Sequence, residues 1–111
     1  MPDHSSVVTE RYLTAENRLE DAWYDSVFRE EEYYAEEDTP FLRKEADFPK
    51  GGWGRVVGEM DLALVDWQEK VLYVEEVKTS YGDLGYAEEQ LDRVDEHFED
   101  WTVIKRKILE T

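Results

Sequence analysis

Apolar residues recur at three- and four-residue steps from about residue 9 to residue 36: Tyr12, Ala15, Leu19, Ala22, Trp23 and Val27. That period predicts one long helix with a single apolar stripe. Thr9 offers the hydroxyl an N-cap needs. The acidic runs Glu30-Glu31-Glu32 and Glu36-Glu37-Asp38, then Thr39-Pro40, mark its end. Residues 1–8 carry no such pattern and are expected to form a loose terminus. A short strand is expected over 41–46, and the Pro and three Gly of 47–54 predict a loop. Residues 56–65 and 70–79 are rich in Val, Leu and Tyr and predict two strands joined by a turn at Asp66-Trp67-Gln68-Glu69. A second loop at 81–85 precedes a helix over 86–100, with Ala87, Leu91, Val94 and Phe98 in one stripe, and 102–109 predicts a last strand. The order αβββαβ predicts a single α/β domain: a three-layer α/β/α sandwich around a mixed sheet of about four strands.

The 111 residues suffice for one compact domain spanning the chain, and the 4 Trp, 7 Tyr and 4 Phe supply a core. There is no cysteine, which excludes disulfides and thiolate metal sites. No apolar run approaches the roughly 20 residues that cross a bilayer, and the start lacks a basic segment followed by an apolar one. A soluble, cytoplasmic protein is expected. Acidic residues outnumber basic ones 29 to 13, giving a net charge of −16. Disordered chains share that charge but lack aromatics and regular apolar spacing. An acid-covered folded surface fits molar salt, where the Debye length is roughly 3 Å, and points to a halophilic source, cellular or viral.

Certain ionisable residues interrupt the apolar strands. Successive strand residues face opposite sides, so Glu59 and Asp61 share one face, and Glu76 shares a face with Lys78. If the strands pair as a hairpin, these groups meet on one side of a sheet. Burying them without partners is costly, and a divalent cation such as Mg²⁺, which takes carboxylate oxygens, resolves the cost.

Gly58-Glu59-Met60-Asp61-Leu62, a 14-residue spacer, then Glu76-Val77-Lys78-Thr79 resembles the core motif of the PD-(D/E)XK (restriction-endonuclease-like) nucleases. The small single-domain Holliday-junction-resolvase and RecB-like members are the nearest in phrasing. Glu89-Gln90-Leu91 resembles the additional Gln motif of that branch, and a helix carrying a Glu precedes the Asp, as in the family. The resemblance implies a metal-dependent deoxyribonuclease using Mg²⁺ or Mn²⁺. Asp61, Glu76 and the Val77 backbone carbonyl would hold the metal, Lys78 would orient the attacking water, and Gln90 would support Lys78 or touch DNA. In the first helix Glu16 falls inside the apolar stripe and is favoured as an outer ligand, with Glu20 at its edge as the alternative. Glu75 departs from the family's single acid; regular pleating turns it to the other face, as a structural residue. Glu59 is open between a direct and a supporting role.

His4 and His97 have no second His or Cys at ligand spacing, so zinc is not expected. Trp53 in Lys50-Gly51-Gly52-Trp53-Gly54-Arg55 either stacks on a base, with Lys50 and Arg55 on phosphates, or anchors its loop. Arg43, Lys44, Lys50, Arg55, Lys105, Arg106 and Lys107 put seven of the 13 basic residues in two stretches, as a DNA path would require. A homodimer offering two sites is expected. The alternatives are an acidic DNA mimic and an inactive nuclease-fold subunit that acts by binding a partner.

Overall fold

The computed structural model describes residues 3–36, 39–42 and 55–110, with no side chains described between 31 and 57. The chain forms α1 (His4–Asn17), a 3-10 turn (Leu19–Asp21), β1 (Ser26–Glu36), β2 (Thr39–Leu42), β3 (Arg55–Asp66), β4 (Val71–Lys78), a second 3-10 turn (Tyr81–Asp83), α2 (Leu84–His97) and β5 (Thr102–Leu109). Among the described residues it is an α/β fold with two α-helices and one mixed sheet in the order β2-β1-β3-β4-β5. Every neighbouring pair is antiparallel except β4 and β5, which run parallel.

The first helix is shorter at its C-terminal end than its period predicts. It stops at Asn17, and the second half of the expected helix is the strand β1. Tyr12, Ala15, Leu19, Ala22 and Val27 do meet in one apolar cluster, with Tyr24, Leu62 and Leu64, but a helix, a turn and a strand bring them there. Phe28, next to Val27, packs instead into the cluster around Val65 and Leu72. Neighbours facing opposite sides are the signature of a strand. Pairing with β3 from Ser26↔Val65 onward overrides the weaker helical period. Trp23 is 48% exposed and contributes little to the stripe. Tyr24 locks the turn by donating its hydroxyl to the Ala15 carbonyl at 2.6 Å, and Asp25 N donates to Val65 O at 2.8 Å to start β1.

Residues 4–8 are also not loose. The helix begins at His4 and buries Val8 completely, against Val77 and Ile108. Val8, Tyr12 and Ala15 continue the helical spacing backward, a signal that starting the helix at Thr9 overlooks.

Register assigns residues to the two faces of the central hairpin. Leu62↔Glu75 and Leu64↔Tyr73 point one way, and Ala63↔Val74 and Val65↔Leu72 the other. The first set joins α1 and its turn. The second joins Leu91, Val94 and Phe98 of α2. The four-residue connection is closed by Asp66 Oδ1, which accepts from Gln68 N and Glu69 N, both at 3.1 Å. Lys70 completes it with φ 55°. No helix among the described residues is long and apolar enough to cross a membrane.

Candidate active site

The β3–β4 ladder runs from Asp66↔Val71 to Leu62↔Glu75. Past that point β3 continues along β1, with Met60↔Glu31, and β4 continues along β5, with Glu76↔Lys107 and Lys78↔Leu109. The two central strands fork, and the fork opens at Asp61 and Glu76. Backbone amides at a fork lose their ladder partners and must find others. Asp61 supplies one: its Oδ2 accepts from Val77 N at 2.8 Å.

Asp61 and Glu76 are buried, at 5% and 1% exposure. Burial first, and then the Asp61 charge, push the Glu76 carboxyl up to about 9, while nearby Lys78 pulls the other way. Glu76 Oε1 is buried with no hydrogen-bond partner, and so is Gln90 Oε1. Buried polar atoms in folded proteins are nearly always satisfied. The fork therefore holds an acid pair with unused acceptor capacity and a half-buried lysine two residues along the same strand face.

His4 reaches this site, although the sequence pattern places it in a loose tail. Its Nε2 lies 3.2 Å from Asp61 Oδ2. The start of α1 thus delivers both an imidazole and the partial positive charge of a helix N-terminus toward Asp61. Glu16 and Glu20 are not brought to the fork. Both are exposed, and twelve helical residues, about 18 Å of rise, separate Glu16 from His4. Glu16 instead faces Tyr12, whose hydroxyl it holds above its usual range by a hydrogen bond. It joins the stripe only on an idealised wheel carried past the real end of the helix. Glu59 is exposed.

Glu75 faces α1, as pleating predicts. Its carboxylate takes Arg11 Nε at 2.5 Å and Nη2 at 2.6 Å, plus the Tyr73 hydroxyl. Hydrogen bonding to Glu75 raises the Arg11 pKa. A cavity of about 830 Å³ opens beside this group, lined by Arg11, Ala15, Trp23, Tyr24, Leu62 and Tyr73 among others. It contains none of Asp61, Glu76, Lys78 or Gln90. The charge at its base is already matched, whereas the acid at the fork is not.

The expected DNA contacts fall largely outside the described residues: Arg43, Lys44, Lys50 and Trp53 lie there, and Arg55 is described only as backbone, paired with Ala35. The other basic stretch is engaged. Lys105 Nζ bridges Asp95 at 2.7 Å and Asp92 at 3.3 Å. Lys107 Nζ lies 3.7 Å from Glu88, and Arg106 lies on the opposite face near Tyr73, where its charge works against the burial that raises the Tyr73 pKa. No group of three or more His, Cys, Asp or Glu side chains suited to a metal occurs among the described residues. The fit to a cation rests on the Asp61–Glu76 pair and its unpartnered oxygen; one or two carboxylates with waters is what Mg²⁺ commonly takes. Comparison with family models, with curated proteins and with solved structures gave no match to the chain.

Proposed function

We propose that this chain is a metal-dependent deoxyribonuclease of the PD-(D/E)XK kind, an α/β/α sandwich that hydrolyses DNA phosphodiester bonds. The observation that carries the reading is the buried Glu76 carboxyl beside Asp61 at the strand fork, one oxygen of which has no hydrogen-bond partner, with Lys78 two residues on. Asp61 and Glu76, with the Val77 carbonyl, would hold Mg²⁺ or Mn²⁺. Such an ion lowers the pKa of water and offsets charge on the phosphate. Lys78 carries its charge next to the acid pair, where an ammonium donor orients a water and favours negative charge on the scissile phosphate. His4 holds the outer side of Asp61 and fixes its orientation. In the reaction a water oxygen forms the new P–O bond as that water gives up a proton to solvent, one ester P–O bond breaks, and the departing oxygen takes a proton from solvent.

The experiment uses labelled duplex, single-stranded and four-way-junction DNA in high KCl, comparing Mg²⁺, Mn²⁺ and EDTA. Lys78→Ala should abolish cleavage while leaving the fold intact by circular dichroism. Absence of cleavage by folded wild-type protein on every substrate would refute the reading. It would favour the second one, an acidic DNA mimic or inactive subunit, which the charge of −16 supports. A mimic would titrate a basic partner and ignore Mg²⁺. The nuclease reading carries three further proposals: a homodimer with two sites, a cytoplasmic setting and a halophilic source. Light scattering in molar KCl tests the first.

A further inference from the structure

The cavity on the α1 side of the sheet takes no part in the chemistry of the fork. Its volume of about 830 Å³ falls within the roughly 300–1,000 Å³ that holds a drug-sized molecule. Ala15, Leu62 and Leu64 give it apolar walls, and Trp23 and Tyr24 add rings. These two rings meet edge to face, with centroids 5.3 Å apart and planes at 85°, so they make a corner. Tyr24 is buried, and its hydroxyl is engaged with the Ala15 carbonyl. Trp23 is 48% exposed and leaves indole surface open on the cavity wall.

The base of the cavity is electrically closed, and its rim is not. Glu75 is 1% exposed, and Arg11 covers it with two hydrogen bonds. The other charged residues of the lining are Glu10, Asp21, Glu110 and Arg18, all exposed. None of these four enters an ion pair among the described residues. Three carboxylates against one guanidinium leave an excess of two negative charges at the rim. The net charge of −16 over the chain has the same sign. An anion entering here meets repulsion from both. A cation meets attraction from both, and the face of an indole attracts it further through the ring quadrupole. Asp21 lies two residues before Trp23, which puts a rim carboxylate and the open ring on one short segment.

Apolar walls, an open indole and an acidic rim select the same chemistry. We propose that this cavity binds a small organic cation, an ammonium group on an apolar body. The body lies against Ala15, Leu62 and Leu64, and the ammonium lies at Trp23 and the rim acids. The inference does not rest on the nuclease reading, because the cavity includes none of Asp61, Glu76, Lys78 or Gln90.

The test follows backbone-amide and indole N–H shifts of isotopically labelled full-length protein by NMR. The probe is phenethylammonium, added in molar KCl so that diffuse attraction to the acidic surface is screened. Phenethyl alcohol supplies the same body without charge, and hydrocinnamate supplies the opposite charge. Phenethylammonium should give saturable shifts centred on Ala22, Trp23, Leu62 and Leu64. The alcohol should bind about tenfold more weakly, and hydrocinnamate should not bind. Trp23→Leu, which keeps an apolar contact for Tyr24, should weaken the ammonium about tenfold. Asp21→Asn/Glu110→Gln should weaken it about fivefold and leave the alcohol unchanged. The second variant alters only exposed polar groups, so it keeps the test valid if the first fails to fold. Shifts that spread over the acidic surface without saturating, equal affinity for ammonium and alcohol, or a charge variant that binds like wild type would overturn the proposal.

Discussion

Glu75 and Glu76 are adjacent acids, each 1% exposed, and the fold treats them oppositely. Replacing Glu76 by glutamine in metal-free protein measures the difference. Burial and the Asp61 charge push its carboxyl from an ordinary 4.5 up to about 9. At pH 7 the folded side chain keeps its proton and the unfolded chain has released it. The native state then binds more protons, so stability falls as pH rises. The contribution is whole below pH 4.5 and decays up to about pH 9. At about 1.36 kcal/mol per pH unit, keeping the proton from 4.5 to pH 7 costs about 3.4 kcal/mol. Relaxation of the site and water entry reduce this, because effective dielectric constants inside proteins exceed those of dry protein. Glu76→Gln has the same shape, can still hydrogen-bond Asp61, and has no proton to hold. It should stabilise the protein by about 1–3 kcal/mol at pH 7. Urea denaturation in EDTA at pH 4.5, 6, 7 and 8 checks this. The wild-type and variant curves should meet at the acid end and diverge upward. Parallel curves, or a variant less stable at pH 8, would mean that Glu76 is ionised and well paired, and the reasoning fails.

Two other outcomes follow from the same acids. Arg11→Met strands Glu75 with only the Tyr73 hydroxyl; because the Arg11 side chain is 33% exposed, the loss should fall somewhat below the full buried-pair value, at about 2–4 kcal/mol. Most of it should return in the Arg11→Met/Glu75→Leu double variant, read by urea denaturation; no recovery would show that Arg11 acts by packing. Mg²⁺ binding at pH 7 should release about one proton, since Glu76 must ionise to ligate. Titration calorimetry in buffers of different ionisation enthalpy reads that proton, and buffer-independent heats would contradict it.

The central hairpin and its chemistry are legible in the sequence because both have short-range signatures. Period-two alternation turns Glu75 away from Glu76, and the register bears that out by setting Glu75 opposite Leu62 on the α1 side; Asp61 meets Glu76 beyond the paired stretch. The first 36 residues read less well. Their apolar residues stand out, but a helix, a turn and a strand fold onto one cluster, and a wheel drawn through Asn17 cannot show where a helix stops. The stop comes from pairing with β3, far later in the chain, and from the bond between Tyr24 and Ala15. His4 escapes for a related reason. A histidine near a terminus has no local pattern to mark it, and only burial of Val8 against Val77 and Ile108 draws it to Asp61.

The basic residues make a sharper case. Clustering in sequence suggests a DNA path along Lys105, Arg106 and Lys107, but α2 runs beside β5 with acids at Glu88, Asp92 and Asp95. Two of the three cations bond to those acids, and the third turns to Tyr73 on the other face. Charge along a strand predicts a surface only when both neighbours are known. With that stretch matched, Lys78 is the lysine that stands beside the acid pair at the fork, among the described residues. With so few unmatched cations described, any DNA binding by a chain of net charge −16 should weaken little as salt rises, and fluorescence anisotropy across a KCl series would read a steep loss as evidence against this account.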